Sequence, residues 1–322
     1  MLLGIFGLFY ASWQQTGAPS FDIRELVAQF QFFESSLLRD AIFLSIIFGF
    51  LAKLPVFPFH SWLPDAYTEA PTAGSVLFIL LKIGGYGLFR ISLPMLPNTG
   101  SPELIINMLG LLGAFSIVYG ALVALRQKDL KRMIAYSSLS HMGFVVLGSA
   151  GFIALSVSGA MFQQFSHGLI MSILFMSAGA IQTTTGTRII NNLGGLAKRM
   201  PKLTVLMMVG FMASLGLPGL SGFIAEFLVF TFSYVNLPGF VLFALLAIVI
   251  TAGYHLWAMQ RAMFGVYNAK VGDISDINSL QVFSMGVIAL LVIYFGWNPS
   301  PVLNMMITNS EAIVSLGAAV GV

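Results

Sequence analysis

Eight apolar stretches, each near the length of one membrane crossing, follow one another along the chain and constrain its fold more than any other feature. They cover residues 38–59, 73–96, 103–125, 133–150, 155–182, 203–234, 238–262 and 280–297. A hydrocarbon layer about 30 Å thick takes about 20 apolar residues per helix, and backbone polar groups inside it must bond internally. The composition agrees, because 57% of the residues are hydrophobic and only 8% are charged. The pattern predicts an all-α, polytopic membrane helix bundle.

The few basic residues predict how this bundle is oriented. They cluster after the third, fifth and seventh stretches, so consecutive clusters are two crossings apart and share one side. We call this side the basic face. Its basic residues are Arg126, Lys128, Lys131, Arg132, Arg188, Lys198, Arg199, Lys202, Arg261 and Lys270. By the positive-inside rule it is cytoplasmic. The loop Asp22 to Arg39 then lies on the opposite face, and the loop His60 to Pro71 lies on the basic face.

Two crossings are predicted to be interrupted. Pro55 and Pro58 break the first one, and Pro218 and Gly219 break the stretch 203–234, which is too long for one straight passage. The interrupted crossing 38–59 enters from the opposite face and the interrupted crossing 203–234 enters from the basic face, so the two run in opposite senses. Interrupted helices of opposite sense are typical of inverted-repeat transport folds, in which they flank the ion site.

Ionisable residues inside the crossings are the candidate functional groups, because a charge in hydrocarbon is costly unless it faces water or a partner. The five candidates are Lys53, Lys82, His141, His167 and Glu226. Structural alternatives exist for most of them: Lys53 could snorkel to the basic face, either histidine could be a satisfied interior group, and Glu226 could be a counter-ion. Two histidines at matching depth favour a proton relay, because imidazole titrates near neutral pH. His255 is predicted to be structural.

Several segments together resemble one family. The strings KLPVFPFHSWLPDAYTEAPTAGSV, LKRMIAYSSLSHMGF, FSHGLIMSILFMSAGAI, LGLPGLSGFIAEF and WAMQRAMFG are similar to the antiporter-like subunit M of respiratory complex I. The resemblance covers nearly the whole chain, with the motifs in the same order. It implies a proton-translocating membrane-arm subunit of an NADH:quinone oxidoreductase, or of a relative with another electron donor.

The resemblance also implies roles and boundaries. It assigns proton translocation to the five residues named above and predicts an incomplete first repeat unit over 1–96, a second over 102–265, and a terminal helix with a tail over 278–322. Family members begin with about five further helices, one of which carries a glutamate that pairs with the lysine here numbered Lys53. Before Lys53 this chain has the acidic residues Asp22, Glu25 and Glu34 in the outer loop and Asp40 at the outer end of the first crossing. It is therefore predicted to be an N-terminally truncated or split member.

No cofactor is predicted for this chain. It has no cysteine for thiolate or iron–sulfur ligation, and its net charge of +3 is too small to indicate nucleic acid. The expected surroundings are other membrane-arm subunits, the lipid of an inner or equivalent energy-transducing membrane, and protons with internal water. Three alternatives stay open: a subunit of a cation/proton antiporter or membrane-bound hydrogenase, a haem protein with His141 and His167 as axial ligands, and a non-pumping structural fragment.

Overall fold

The computed structural model describes residues 1–17, 20–30, 33, 35–80 and 82–318. Over these residues the chain is helical and contains no strand, which confirms the predicted fold class. In chain order the α-helices are α1 (Leu2–Thr16), α2 (Ile23–Gln29), α3 (Ser36–Lys53), α4 (Trp62–Glu69), α5 (Thr72–Leu80), α6 (Ile83–Gly87), α7 (Leu93–Met95), α8 (Pro102–Arg126), α9 (Leu130–Ala150), α10 (Ala154–Thr185), α11 (Pro201–Ser214), α12 (Ser221–Asn236), α13 (Pro238–Ala262), α14 (Ser279–Trp297) and α15 (Ser300–Ala318). Five of the described helices, α8, α9, α10, α13 and α14, are long and apolar enough to cross a membrane.

The first interrupted crossing is longer than predicted, and the predicted loop from His60 to Pro71 was wrong over most of its length. Helix α3 ends at Lys53, and α4 resumes the crossing at Trp62 and reaches Glu69. The carboxylates that suggested a loop are paired with basic residues far away in the sequence, since Asp65 binds Arg132 at 3.1 Å and Glu69 binds Arg188 at 2.8 Å. Helix α4 therefore ends at the basic face.

Arg188 ties this helix end to the rest of the bundle. Its guanidinium also donates to the Thr68 carbonyl at 2.9 Å and forms an ion pair with Asp129, which caps the start of α9. Burial opposes the charge of Arg188, but the hydrogen bond that it donates to Glu69 and the charges of Asp129 and Glu69 raise its pKa above the ordinary value. A permanent cation thus sits at the carbonyl end of α4, where the helix dipole favours it.

The second interrupted crossing runs in the opposite sense. Helix α11 begins at the basic face, where Asp276 accepts the backbone N–H of Lys202 at 2.8 Å. It ends at Ser214, and α12 begins at Ser221, so Pro218 and Gly219 lie in the gap between them. One interrupted crossing therefore ends at the basic face and the other starts there.

A third interruption was not predicted. The stretch 73–96 was expected to be one helix, but α5 ends at Leu80 and α6 begins only at Ile83. Lys82, between them, has φ −83° and ψ 34°, which is outside the helical region. A π-helical turn at Leu88–Ser92 and a 3-10 turn at Leu96–Asn98 follow. The crossing that carries Lys82 is thus irregular along much of its length.

Helix α10 lies at the centre of the bundle and positions the site. Its 32 residues pack against α9, α11, α12, α14 and α15. The region after α14, predicted to be a tail, contains the helix α15, in which Ser310 receives a hydrogen bond from Ser158 of α10 at 3.0 Å. A search for apolar stretches did not detect α15, because this helix contains the polar residues Asn304 and Glu311. Glu34 lies outside the described residues.

Candidate functional site

The structure places the five predicted residues in one row across the bundle. The row starts at Lys53 beside the first helix break, continues through Lys82, His167 and His141, and ends at Glu226 beside the second break. We call this row the polar track. Each member comes from a different helix or helix end, so the track exists only when the bundle is assembled.

Lys53 is the last residue of α3 and lies where the chain leaves the helix. The Trp62 indole N–H donates to the Ala52 carbonyl at 2.9 Å, which satisfies one of the free carbonyls at this end. The Lys53 ammonium lies 5.5 Å from the centre of the Trp62 ring. Within the described part of the chain no carboxylate lies within ion-pair distance of Lys53. Its contact with the protein is thus a cation–π interaction, which leaves the ammonium free to accept a further partner.

Lys82 and His167 form the tightest contact of the track. The Lys82 Nζ lies 2.7 Å from the His167 Nδ1, across 85 residues of sequence. One of the two nitrogens must donate and the other must accept, so a proton can pass between them along this contact. Gly84, two residues after Lys82, lies against the end of α3, because a Cβ there would lie 2.7 Å from the Leu54 backbone nitrogen. Helix α6 therefore packs directly on the first helix break.

His141 has three neighbours that cannot all be satisfied at once. Its Nε2 lies 3.0 Å from the Ser214 hydroxyl, whereas its Nδ1 faces both the Gln163 Nε2 at 3.1 Å and the Glu226 Oε1 at 3.4 Å. The Gln163 amide nitrogen can only donate, so it needs a bare Nδ1, while an ionised Glu226 can only accept and needs a protonated Nδ1. A proton on the His141 Nδ1 therefore favours Glu226 as its partner, and a bare Nδ1 favours Gln163.

Glu226 is held close to His141 by the second helix break. Gly216 adopts φ +77°, a left-handed conformation that favours glycine, and a Cβ on it would lie 2.7 Å from the Glu226 Oε2. The side chain of Glu226 is 13% exposed and that of His141 is 5% exposed. This pair is therefore shielded from bulk water.

Small cavities connect the members of the track. One of about 20 Å³ is lined by Lys53, Lys82 and His167, and another of about 10 Å³ by His141, His167 and Glu226. A space of roughly 10–15 Å³ for a water-sized probe holds one water molecule. The ring centres of His141 and His167 are 5.6 Å apart in an edge-to-face contact, and the second cavity lies beside both rings. Lys82 also borders a larger, mainly apolar cavity of about 810 Å³ between α2, α6, α10 and α15.

The packing around the histidines leaves no room for a haem. The rings of His141 and His167 are close together, their Nδ1 atoms have protein partners, and the cavity between them is far smaller than a macrocycle. That the chain takes no cofactor stays a prediction.

Sequence reasoning missed Trp62 and Ser214 as members of the site. Both adjoin a predicted helix break, and this position is the signal that could have found them.

Comparisons with known proteins show which proteins this chain is similar to. A family model described as NADH:quinone oxidoreductase/Mrp antiporter, transmembrane, matches residues 1–251. Subunit M of the F(420)H(2) dehydrogenase of Methanosarcina mazei is 82% identical over 322 residues, covering 100% of this chain and 65% of that protein. NADH-quinone oxidoreductase subunit M of Rickettsia bellii is 42% identical over 281 residues, covering 86% of this chain and 56% of that protein.

A solved structure shows the same fold. A chain of respiratory complex I from Thermus thermophilus with bound NADH superposes with a TM-score of 0.87 at 30% identity, covering 98% of this chain and 66% of that chain. The chain thus spans between about half and two thirds of the length of the proteins that it matches.

Proposed function

Because the chain belongs to the NADH:quinone oxidoreductase/Mrp antiporter transmembrane family, we propose that it translocates protons as a membrane-arm subunit of a redox-driven complex. The likeness to the F(420)H(2) dehydrogenase subunit favours F420H2 as the electron donor of that complex, with NADH as the alternative. The redox reaction itself belongs to other subunits. The division into repeat units over 1–96 and 102–265, with the terminal segment 278–322, is part of this proposal.

One observation carries the proposal: titratable side chains and small cavities alternate without a gap from Lys53 to Glu226. A proton that reaches Lys82 can pass to His167 across the 2.7 Å contact. From His167 it can reach His141 through one bridging water, and from the His141 Nδ1 it can pass to Glu226. Imidazole suits such a relay because its two nitrogens can accept and release protons on opposite sides of the ring.

The magnitudes are adequate for transport. Moving one proton against a potential of about 150 mV requires about 3.5 kcal/mol. Two unit charges 3.4 Å apart, as in His141 and Glu226, interact by about 5 kcal/mol at an effective dielectric constant of about 20. At about 10 Å the same estimate gives only about 1.7 kcal/mol. A charge must therefore come within contact distance of the next group before it can drive a proton onward. His141 and Glu226, 3.4 Å apart, are at such a distance.

The proposal is tested in membrane vesicles that contain the assembled complex and are driven by F420H2. Glu226→Gln and Lys82→Met should each abolish proton uptake while electron transfer continues or slows. Glu103→Gln and Lys128→Met make the same chemical changes at exposed positions away from the track and should leave the number of protons per electron unchanged.

A normal proton-to-electron ratio in either track variant would refute the assignment. Transport that continues without an electron donor and depends on an added sodium gradient would instead indicate a cation/proton antiporter. That result would also refute the redox-driven role.

A further inference from the structure

Helix α13 carries a second buried polar cluster that the polar track does not include. Its members are Tyr254 and His255, whose side chains are both 0% exposed. The His255 Nδ1 lies 2.9 Å from the Thr251 carbonyl, so this nitrogen carries the proton and the Nε2 is a bare acceptor. In the described part of the chain, that Nε2 has no hydrogen-bond partner. The Tyr254 hydroxyl makes no hydrogen bond there either, although the side chains of Ser137 and Thr251 lie next to it.

Packing alone does not account for these two side chains. The His255 ring contacts the rings of Phe211 and Tyr254, with centres 5.3 Å and 4.3 Å away, and a phenylalanine could make the same contacts. A buried polar atom without a partner costs about 1–3 kcal/mol. Where such atoms converge in a protein interior, they usually bind water. Here the rings of Tyr254 and His255 have centres 4.3 Å apart, so both side chains belong to one buried cluster, and the side chains of Ser137 and Thr251 lie beside Tyr254.

The cluster lies between the polar track and the basic face. His255 is seven residues before the end of α13, and Ser137 is seven residues after the start of α9. Both helix ends are at the basic face, and seven residues correspond to about 10 Å of helix. Phe211, which packs on His255, is three residues before Ser214, which contacts His141. The cluster is therefore the polar region next to His141 and Glu226 on their basic-face side.

We propose that Tyr254 and His255, together with Ser137, hold water that carries protons between the basic face and the His141–Glu226 pair. This inference rests on the proposed proton translocation and adds a side branch to the track. His255 takes up and returns the proton at its Nε2, because its Nδ1–H is held by the Thr251 carbonyl. The occupant of the site is water or hydronium, and no bond other than O–H and N–H forms or breaks.

The absence of cysteine from the chain allows a direct test of water access. In vesicles that expose the basic face of the assembled complex, a cationic methanethiosulfonate reagent should modify His255→Cys from that side. Ala258→Cys is the matched control: its native side chain is 0% exposed and lies about one turn closer to the same face. We expect modification at position 255 to be at least tenfold faster than at position 258. Equal or slower modification at position 255 would overturn the branch.

Proton transport gives a second, independent test. His255→Phe keeps the packing but removes the acceptor, and should lower the proton-to-electron ratio several-fold at an unchanged content of assembled complex. His255→Gln, which can still bond Thr251 and water, should retain more transport than the phenylalanine variant. Normal transport in His255→Phe would overturn the branch but leave the proposed function intact if Glu226→Gln still abolishes transport. If His255→Phe does not assemble, the cysteine labelling decides.

Discussion

Shortening Glu226 by one methylene group is the sharpest test of how the polar track works. In Glu226→Asp the carboxylate keeps its charge but withdraws from His141 by up to about 1.5 Å, the length of one carbon–carbon bond. The separation then grows from 3.4 Å to about 4.9 Å, and the interaction falls from about 5 to about 3.4 kcal/mol at an effective dielectric constant of about 20. A loss of about 1.5 kcal/mol corresponds to about a tenfold change in population.

We therefore expect Glu226→Asp to lower the initial rate of proton uptake by about tenfold in F420H2-driven vesicles. Electron transfer should continue, and Glu226→Gln should show no uptake at all. Glu103→Asp makes the same change at an exposed position and serves as the control. Uptake at the wild-type rate in Glu226→Asp would show that contact between this carboxylate and His141 does not set the rate, and would refute the electrostatic reasoning.

Three further predictions concern the supports of the track. Arg188→Met should remove the ion pair with the partly buried Asp129, which keeps only its hydrogen bonds from the start of α9, cost about 1–3 kcal/mol, and lower the midpoint of thermal inactivation of the complex. Gly216→Ala should force the carboxylate away from His141 and reduce proton uptake without reducing assembly; unchanged uptake would contradict the close approach. Ser214→Ala should remove a hydrogen bond to His141 worth about 1 kcal/mol and slow uptake about fivefold, as measured by initial rates.

The sequence predicted those parts of the fold that depend on a local pattern of residues. Apolar length determines where the helices cross, and prolines mark the breaks after Lys53 and Ser214. Helix α4 was missed because its carboxylates look solvent-exposed until Arg132 and Arg188 pair with them from distant parts of the chain. The interruption at Lys82 was missed because no proline marks it, and the contact that Lys82 makes there is with His167, 85 residues away in the sequence.

The candidate residues could be named in advance because each places an ionisable group in an apolar crossing. Their connections could not be predicted, since the contact between Lys82 and His167 spans 85 residues of sequence. The competition between Gln163 and Glu226 for one nitrogen of His141 likewise depends on distances of a few tenths of an ångström. Sequence patterns carry no information at that scale.

The close contact between Lys82 and His167 has a consequence for the order of the proposed transport steps. Two cationic nitrogens 2.7 Å apart would repel one another strongly, so the pair cannot store two protons. Each proton that arrives from the Lys53 side must wait until the previous one has left toward Glu226. The geometry at this one position therefore lets the pair hold one transferable proton at a time, whatever number of protons passes in succession.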